Sequence, residues 1–204
     1  MNWTVDLVER HTVKLLGKQG PFRPSVRLVV PEKTPFVAKD YRACTALYRW
    51  TVGAFNLRRE RAALSRLAGM DGVPALEAEV GRWILVMTHF RGKDLGKAKK
   101  WRQTPEFYDE LMSLVEEMHR RGVVHLDLRQ RRNVLVRPGR HPAILDFGSA
   151  LCVRPGSRLA RFLGRIDRSG VLKYKQRANP GGLSASEARA LRKVESRRRL
   201  WPFS

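Results

Sequence analysis

Two polar loops, each bounded by short apolar runs, constrain the fold of this chain most strongly. The first loop, "HLDLRQRRN" at 125–133, lies between the runs "VV" and "VLV". The second begins at Asp146, directly after "AIL" and 19 positions beyond Asp127. Short apolar runs bounded by polar residues are typical of strands. The spacing therefore predicts a small strand pair whose loops carry two acids.

The first part of the chain is predicted to be rich in β-structure. Residues 12–40 contain the runs "TVKLL", "SVRLVV" and "PFVAK", separated by glycines and prolines that break regular structure. Residues 55–68 follow, with one apolar helical face that ends before Gly69. The predicted face consists of Phe55, Leu57, Ala62, Leu64 and Leu67. The run "RWILVM" at 82–87 is predicted to be a buried strand. These elements indicate a sheet with one helix.

The second part is predicted to be mainly helical. Thr104 and Pro105 provide an N-cap and a proline at the first helical position, and Gly122 ends that helix. Its predicted apolar face consists of Phe107, Leu111, Leu114, Val115 and Met118. Ser184 and Glu187 form a capping box that opens a later helix. We predict an α+β fold of two lobes, a β-rich N-lobe at 1–87 and a hinge with a reduced helical C-lobe at 88–204.

Six residues, taken in order along the chain, resemble the core of protein-kinase-like phosphotransferases. The strand lysine of "FVAK" is followed by a helix acid, then by "HLDLR", then by "DFG". The matching residues are Lys39, Glu60, Asp127, Arg129, Asn133 and Asp146. The resemblance covers roughly residues 13–150, and its specificity lies in the order of the motifs, since each motif alone occurs by chance.

The resemblance implies ATP and Mg²⁺ as cofactors and a role for each residue. Asp127 would accept the proton of the acceptor hydroxyl, and Asn133 and Asp146 would hold Mg²⁺ on the ATP phosphates. Lys39, paired with Glu60, would position those phosphates. Negative charge spreads over the transferred phosphoryl group, so positioned cations supply much of the catalysis. Arg129 matches a family position near the γ-phosphate.

The nucleotide contacts implied by the resemblance lie in the predicted N-lobe and hinge. "LLGKQGPFRPSV" is a degenerate glycine-rich loop, in which prolines stand where a third glycine is usual. We expect phosphate contacts there from Gly17, Lys18, Gly20 or Ser25.

The hinge expectation rests on "LVMTHFRGKDL". By analogy Met87 would lie behind the adenine, and the backbone from Thr88 to Phe90 would bind the base. The alternative interpretation of this run is a core strand followed by an ordinary connector.

Two departures from the family pattern leave alternatives open. Five residues separate Asp127 from Asn133, where the family has four, so either the loop bulges or Gln130 is the second metal ligand. No A-P-E follows Asp146, and 58 residues remain after it. The pattern is therefore more similar to small bacterial atypical kinases, the RIO-like group and the lipopolysaccharide core kinases that phosphorylate Kdo or heptose sugars.

The charge of the chain predicts an anionic partner. Lys and Arg number 41 against 19 Asp and Glu, a net charge of +22, which favours phosphate, nucleic acid or an acidic membrane surface. The two cysteines lack metal-ligand spacing, the N-terminus lacks a signal-peptide run, and no window is apolar enough to span a membrane. We expect a cytoplasmic protein, peripheral to a membrane at most.

The basic C-terminal segment has three interpretations. It carries 14 of the basic residues and three acids from Arg154 onward. A stripe of Ala188, Leu191, Val194 and Trp201, beside "RRR" at 197–199, could lie on an anionic leaflet or pack on the C-lobe. The third interpretation is a solvated tail.

Our first hypothesis for function is an ATP-dependent phosphotransferase acting on a hydroxyl of a lipopolysaccharide-type sugar or of a protein Ser or Thr. The anionic acceptor would be a phosphorylated glycolipid or a protein substrate. The alternative is a RIO-like kinase or a pseudokinase that binds RNA or ribosomal particles. The degenerate glycine-rich loop and the positive net charge favour this alternative.

Overall fold

The chain divides into two units. The computed structural model describes residues 1–17, 19–98 and 104–198. The first unit is Met1–Phe90 and the second begins at Arg91, so the boundary lies slightly beyond the predicted one at 87.

The first unit is a five-stranded antiparallel sheet with helices. Its strands, in the spatial order β1-β2-β3-β5-β4, are β1 Thr12–Leu15, β2 Ser25–Val29, β3 Phe36–Asp40, β4 Leu76–Val80 and β5 Ile84–Thr88. Its helices are α1 Val5–Arg10, α2 Ala46–Tyr48 and α3 Ala54–Arg66. The three strands predicted within residues 12–40 are confirmed, and so is the strand predicted at 82–87.

One face of this sheet packs against α1. Val8 of α1 is fully buried together with Val29, Ala38 and Val86 of the strands. The ring of Trp3, which precedes the helix, meets the Phe36 ring edge to face at 5.0 Å. Apolar burial of this kind stabilises the sheet by roughly 25 cal/mol per Å² of area removed from water. The sequence analysis did not predict α1, because six residues are too few to show a helical period.

The helix predicted at 55–68 is α3, which continues directly from an irregular segment before it. A π-helical turn, Arg49–Gly53, joins α2 to α3. A Cβ at Gly53 would lie 3.1 Å from the buried Tyr41 ring, so the glycine allows this turn to approach the sheet. Leu57 and Leu64 are buried as predicted, but Phe55 is 56% exposed, so its place on the buried face was wrong.

The second unit consists of helices with short strands. Its helices are α4 Pro105–Arg120, α5 Arg158–Ala178 and α6 Ala185–Arg198. Its strands are β6 Lys93–Asp94, β7 Val123–Val124, β8 Val134–Val136, β9 Pro142–Ile144 and β10 Leu151–Cys152. β7 pairs with β10, and β8 lies between β6 and β9. The predicted strand pair after residue 133 is therefore β8 and β9.

Helix α4 agrees with its prediction in both its ends and its buried face. The Thr104 hydroxyl accepts a hydrogen bond from the Phe107 N–H, and Phe107, Leu111 and Met118 are buried. The sequence analysis did not predict α5, which has a basic residue at almost every turn.

Helix α6 begins with the predicted capping box and lies against α5. The Ser184 hydroxyl accepts from the Glu187 N–H, and the Glu187 carboxylate accepts from the Ser184 N–H. Leu191 is 2% exposed, and Lys175 of α5 forms an ion pair with Glu187 at 3.0 Å. Of the two positions predicted for the apolar stripe, the one on the protein agrees with the structure. Trp201 and Arg199 lie outside the described residues.

Within the part of the chain that the structure describes, no helix has both the length and the apolar composition needed to cross a membrane.

Candidate active site

Lys39 and Glu60 form a buried ion pair in the first unit. The Lys39 ammonium lies 2.8 Å from a Glu60 carboxylate oxygen, and the two residues are 9% and 1% exposed. Lys39 stands on the central strand β3, and Glu60 stands on the buried side of α3. Charges removed from water are costly unless they are paired. The structure thus brings together the two residues that the sequence analysis had assigned to one another.

The glycine-containing segment before β2 forms a closed turn. Gly20 and Arg23 pair in an isolated bridge, in which the Arg23 N–H donates to the Gly20 carbonyl at 3.1 Å. The Pro21 carbonyl accepts a hydrogen bond from the Thr45 N–H at 2.9 Å, which ties the turn to the start of α2. Gly17 is exposed before the turn. Lys18, the fourth predicted phosphate contact, lies outside the described residues.

The register of the sheet corrects the role predicted for Ser25. Ser25 pairs with Asp40, whereas Lys39 pairs with Val26 and Leu85. Successive residues of a strand point to opposite faces, so the Ser25 side chain lies on the face opposite to that of Lys39. Ser25 is 1% exposed, and its hydroxyl accepts a hydrogen bond from Arg27. Its hydroxyl therefore does not join a phosphate site on the Lys39 face.

Met87 lies on the same face of the sheet as Lys39. In β5, Leu85 pairs with Lys39 and Met87 pairs with Val37, two residues away along each strand. Met87 is 7% exposed. The predicted contact of Met87 with adenine stays a prediction. Phe90, the other predicted nucleotide contact, is half-buried at the end of the first unit.

Asn133 contacts Asp127 in spite of the extra residue between them. The Asn133 side-chain amide donates to an Asp127 carboxylate oxygen and to the Asp127 main-chain carbonyl, both at 3.0 Å. A 3₁₀ turn, Arg131–Asn133, accommodates the longer spacing. Gln130 is exposed and contacts this loop through its backbone, accepting from the Asn133 N–H at 2.9 Å. The bulged loop with Asn133 as the inner residue agrees with the structure.

Two residues of these loops have left-handed backbone. Leu126, directly before Asp127, has φ of 68°, and Asp146 has φ of 62°. This conformation costs a non-glycine residue about 1–3 kcal/mol and is concentrated at functional sites, where the surrounding contacts over-determine it. The backbone before Asp127 and at Asp146 itself is therefore held in place by its neighbours.

His125 connects the loop of Asp127 to the loop of Asp146. Its Nε2 lies 3.0 Å from the Leu145 carbonyl oxygen, and its Nδ1 accepts from the Asp127 N–H at 3.3 Å. The neutral tautomer with the proton on Nε2 satisfies both contacts. The imidazole ring also packs on the Phe147 ring at 4.9 Å. The histidine of the first motif thus holds the phenylalanine of the second.

Asp167 of α5 anchors the backbone before Asp127, and the sequence analysis did not identify it. This residue is fully buried. Its carboxylate accepts hydrogen bonds from the His125 and Leu126 N–H groups, both at 2.8 Å, and contacts His119 Nε2 at 2.9 Å. One available signal was that Asp167 is the single acid among the 21 residues of this basic helix.

Helix α5 also holds Arg129. The Arg129 guanidinium donates to the Ser169 hydroxyl at 3.0 Å, and that hydroxyl donates to the Ile166 carbonyl. Gly170 permits the close approach, because a Cβ there would lie 3.2 Å from the Leu128 carbonyl carbon. The buried Arg129 Nε has no hydrogen-bond partner among the described residues.

The polar groups around Asp127 fit a magnesium ion bound together with phosphate. The Asn133 side-chain nitrogen donates to Asp127, so its side-chain oxygen can serve as a metal ligand. Asp146 is exposed and has a carboxylate that can serve as another. Mg²⁺ takes oxygen ligands and is usually held by one or two carboxylates plus substrate phosphates. Among the described residues no cluster of three or more His, Cys, Asp or Glu could hold a metal by itself. The donor set suits an ion completed by nucleotide.

Comparisons with known proteins bear on the fold. No protein-family model matches the chain, and no curated protein matches its sequence. Among solved structures it is similar to the Rio2 kinase of Chaetomium thermophilum, described as an ADP/Mg²⁺-phosphoaspartate complex, with a TM-score of 0.65 over 90% of this chain. This chain has a protein-kinase-like fold. The identity is 16%, and the match spans 62% of the Rio2 chain.

The predicted α+β kinase-like fold is therefore confirmed, with an antiparallel sheet in the first unit and a helical second unit. At 16% identity the neighbour bears on the fold alone. The roles of the six matched residues stay predictions.

Proposed function

We propose that this protein is an ATP- and Mg²⁺-dependent phosphotransferase with a hydroxyl acceptor. The observation that supports it best is the pair of motif loops in the second unit, in which Asn133 contacts Asp127 and His125 contacts the residues on both sides of Asp146. A loop that only needed to cap a strand would not require Asp146 in addition to Asp127. Nor would it require left-handed backbone at Leu126 and Asp146.

The roles of the residues follow from the chemistry of phosphoryl transfer. Asp127 would accept the proton of the attacking hydroxyl, and the hydrogen bond from Asn133 would orient its carboxylate. Asp146 and Asn133 would hold Mg²⁺, which neutralises charge on the phosphate oxygens when it is bound. Lys39, held by Glu60, would contact the phosphates, and Arg129 would stabilise charge on the transferred group.

We infer an anionic acceptor, in first place a phosphorylated sugar of the lipopolysaccharide type and otherwise a protein Ser or Thr. The net charge of +22 supports an anionic partner. Arg132, which is exposed and directly precedes Asn133, has no ion pair among the described residues, so its charge is open to an anion.

The test is phosphate transfer from labelled ATP with Mg²⁺ to an envelope glycolipid fraction and to protein. We expect Asp127→Asn to lower the rate by about 10²-fold or more while ATP·Mg²⁺ still binds. We expect Asp146→Asn to abolish the Mg²⁺-dependent part of nucleotide binding. Asp109→Asn is the matched control, because that acid is 65% exposed on α4. Equal rates for the Asp127 variant and the control would remove Asp127 from its role.

A second candidate is a RIO-like kinase or a pseudokinase that binds RNA, favoured by the fold similarity to Rio2 and by the charge. It predicts RNA binding that weakens steeply with salt. For the pseudokinase, ATP·Mg²⁺ would not raise the melting temperature. A melting temperature that rises with ATP·Mg²⁺, and that fails to rise in Asp146→Asn, would favour the first proposal over the pseudokinase.

A further inference from the structure

The N-terminal half of α5 exposes two large apolar side chains. Leu159 and Phe162 are each 55% exposed. At 100° per residue they share a stripe with Leu163 and Ile166, which are half-buried. The Ser157 hydroxyl caps this end of the helix by accepting from the Ala160 N–H, so the exposed turns are regular helix. A single exposed leucine is ordinary, but an exposed apolar stripe on a helix is a common feature of interaction surfaces.

Three arginines line one side of that stripe. Arg158, Arg161 and Arg165 are exposed, and none of them forms an ion pair with a residue that the structure describes. Helical geometry places all three within about 60° of each other, adjoining Phe162. We call Arg158, Leu159, Arg161, Phe162 and Arg165 the α5 outer face.

The C-terminal half of the same helix is different. Arg168 contacts the Glu116 carboxylate at 2.7 Å, and Lys175 contacts Asp109 at 2.8 Å and Glu187 at 3.0 Å. Arg168 and Lys175 are thus neutralised within the second unit, whereas Arg177 has no ion pair with a described residue. The positive charge of the α5 outer face is not compensated in this way, so it can attract an external anion.

The apolar side of helix α6 does not form a second exposed apolar surface. Leu191 is 2% exposed, and Ala188 and Val194 are half-buried. The ion pair between Lys173 and Glu195, at 3.4 Å, further ties α6 to α5. The apolar stripe of α6 is therefore used inside the protein, whereas that of α5 is exposed.

We propose that the α5 outer face docks on an anionic lipid bilayer. An interfacial helix inserts a narrow apolar stripe at the boundary of acyl chains and headgroups, while flanking arginines reach the lipid phosphates. Leu159 and Phe162 provide the stripe, and Arg158, Arg161 and Arg165 provide the cations. Single-stranded RNA is favoured less, because RNA sites present aromatic rings for base stacking, and of the two exposed apolar side chains only Phe162 has one. Leu159, which is aliphatic, has no use in such stacking.

This interaction is independent of the proposed phosphotransferase activity and needs no nucleotide. If the docking and the phosphotransferase activity are both correct, the enzyme would act on acceptors at a membrane surface.

The experiment is co-sedimentation of the full chain with vesicles at low ionic strength. One set is pure phosphatidylcholine, and the other contains roughly one third phosphatidylglycerol. We expect binding to the anionic vesicles only. Replacing Arg158, Arg161 and Arg165 together by Gln should lower the partition coefficient by about two orders of magnitude. The double variant Leu159→Ser with Phe162→Ser should lower it by about tenfold or more, and the effect should persist at high salt.

The matched control removes the same charge from α6, by replacing Arg189, Arg192 and Lys193 with Gln. These three side chains are exposed, and we expect less than about a threefold change, since attraction falls off with distance from the surface. Circular dichroism and thermal melting would confirm that each variant folds. Equal losses in the α5 and α6 triple variants would overturn the proposal. It would also be overturned if the α5 variants lost affinity for single-stranded RNA while vesicle binding stayed unchanged.

Discussion

The two units position their candidate residues in different ways. In the first unit Lys39 and Glu60 stand on a regular strand and a regular helix, and one contact of 2.8 Å joins them. In the second unit Asp127 and Asp146 stand on loops whose backbone is left-handed at or beside the acid. Regular elements position a side chain through their own period, whereas a strained loop needs an anchor from elsewhere.

The anchor of the second unit lies far away in sequence. Asp167 is 40 positions beyond Asp127, yet it binds the two N–H groups directly before it. The loop therefore depends on α5 for its shape. In the first unit we expect the sheet register to survive removal of either member of the ion pair, since backbone pairing between the strands sets that register. Three variants, in order of decreasing expected effect, test this difference.

The largest effect is expected from Asp167→Ala. It leaves the buried N–H groups of His125 and Leu126 without their acceptor, and each such group costs about 1–3 kcal/mol. We expect the free energy of unfolding of the second unit to fall by about 3–5 kcal/mol, measured by urea denaturation. Native-state hydrogen exchange should show lost protection at these two amides in particular.

The control for this variant is Asp109→Ala, another acid of the second unit that pairs with a cation at the surface. We expect it to change stability by less than about 1 kcal/mol. A comparable loss in the two variants would mean that the loop does not depend on Asp167.

An intermediate effect is expected when the ion pair of the first unit is broken. Lys39→Met leaves the Glu60 carboxylate buried beside an apolar group, which costs about 3 kcal/mol. The double variant Lys39→Met with Glu60→Leu should recover most of that stability, because buried ion pairs are often replaceable by apolar residues. Phosphate transfer should stay low in both. A double variant as unstable as the single one would contradict the view that this contact acts locally.

The smallest effect is a pH-dependent one between α4 and α5. The hydrogen bond from Arg168 lowers the pKa of Glu116, against the opposing effect of its burial. A carboxyl with a lowered folded-state pKa stabilises the protein above its unfolded pKa, about 4.3, and loses that contribution as pH falls through the folded value. Glu116→Gln should therefore destabilise by less than about 1 kcal/mol at neutral pH, and the difference should vanish in acid.

Thermal melting of both proteins from neutral to acidic pH measures this difference. Glu77→Gln, which removes an exposed acid of β4 in the first unit, is measured in parallel as the control. If the difference in melting temperature between wild type and Glu116→Gln grew in acid, it would contradict the lowered pKa assigned to Glu116.

Several parts of the fold could be predicted because their signals are local. The three strands before residue 40 are bounded by glycine and proline, and α4 has both a cap and a periodic apolar face. The order of Lys39, Glu60, Asp127 and Asp146 could also be recognised along the chain. β4, with alternating apolar and acidic residues, and the basic helix α5 were not predicted, and the two anchors on α5, Asp167 and Ser169, were missed with it.

What the sequence determined by itself was the period of its elements, the order of its polar motifs and the excess of positive charge, since each depends on neighbouring residues or on simple totals. The tertiary structure decided which face each side chain occupies. Sheet register placed Ser25 away from Lys39, and packing buried Leu191 while leaving Phe162 exposed. It also placed Asp167 beneath the loop of Asp127. These outcomes depend on contacts between residues distant in the chain, which no local pattern encodes.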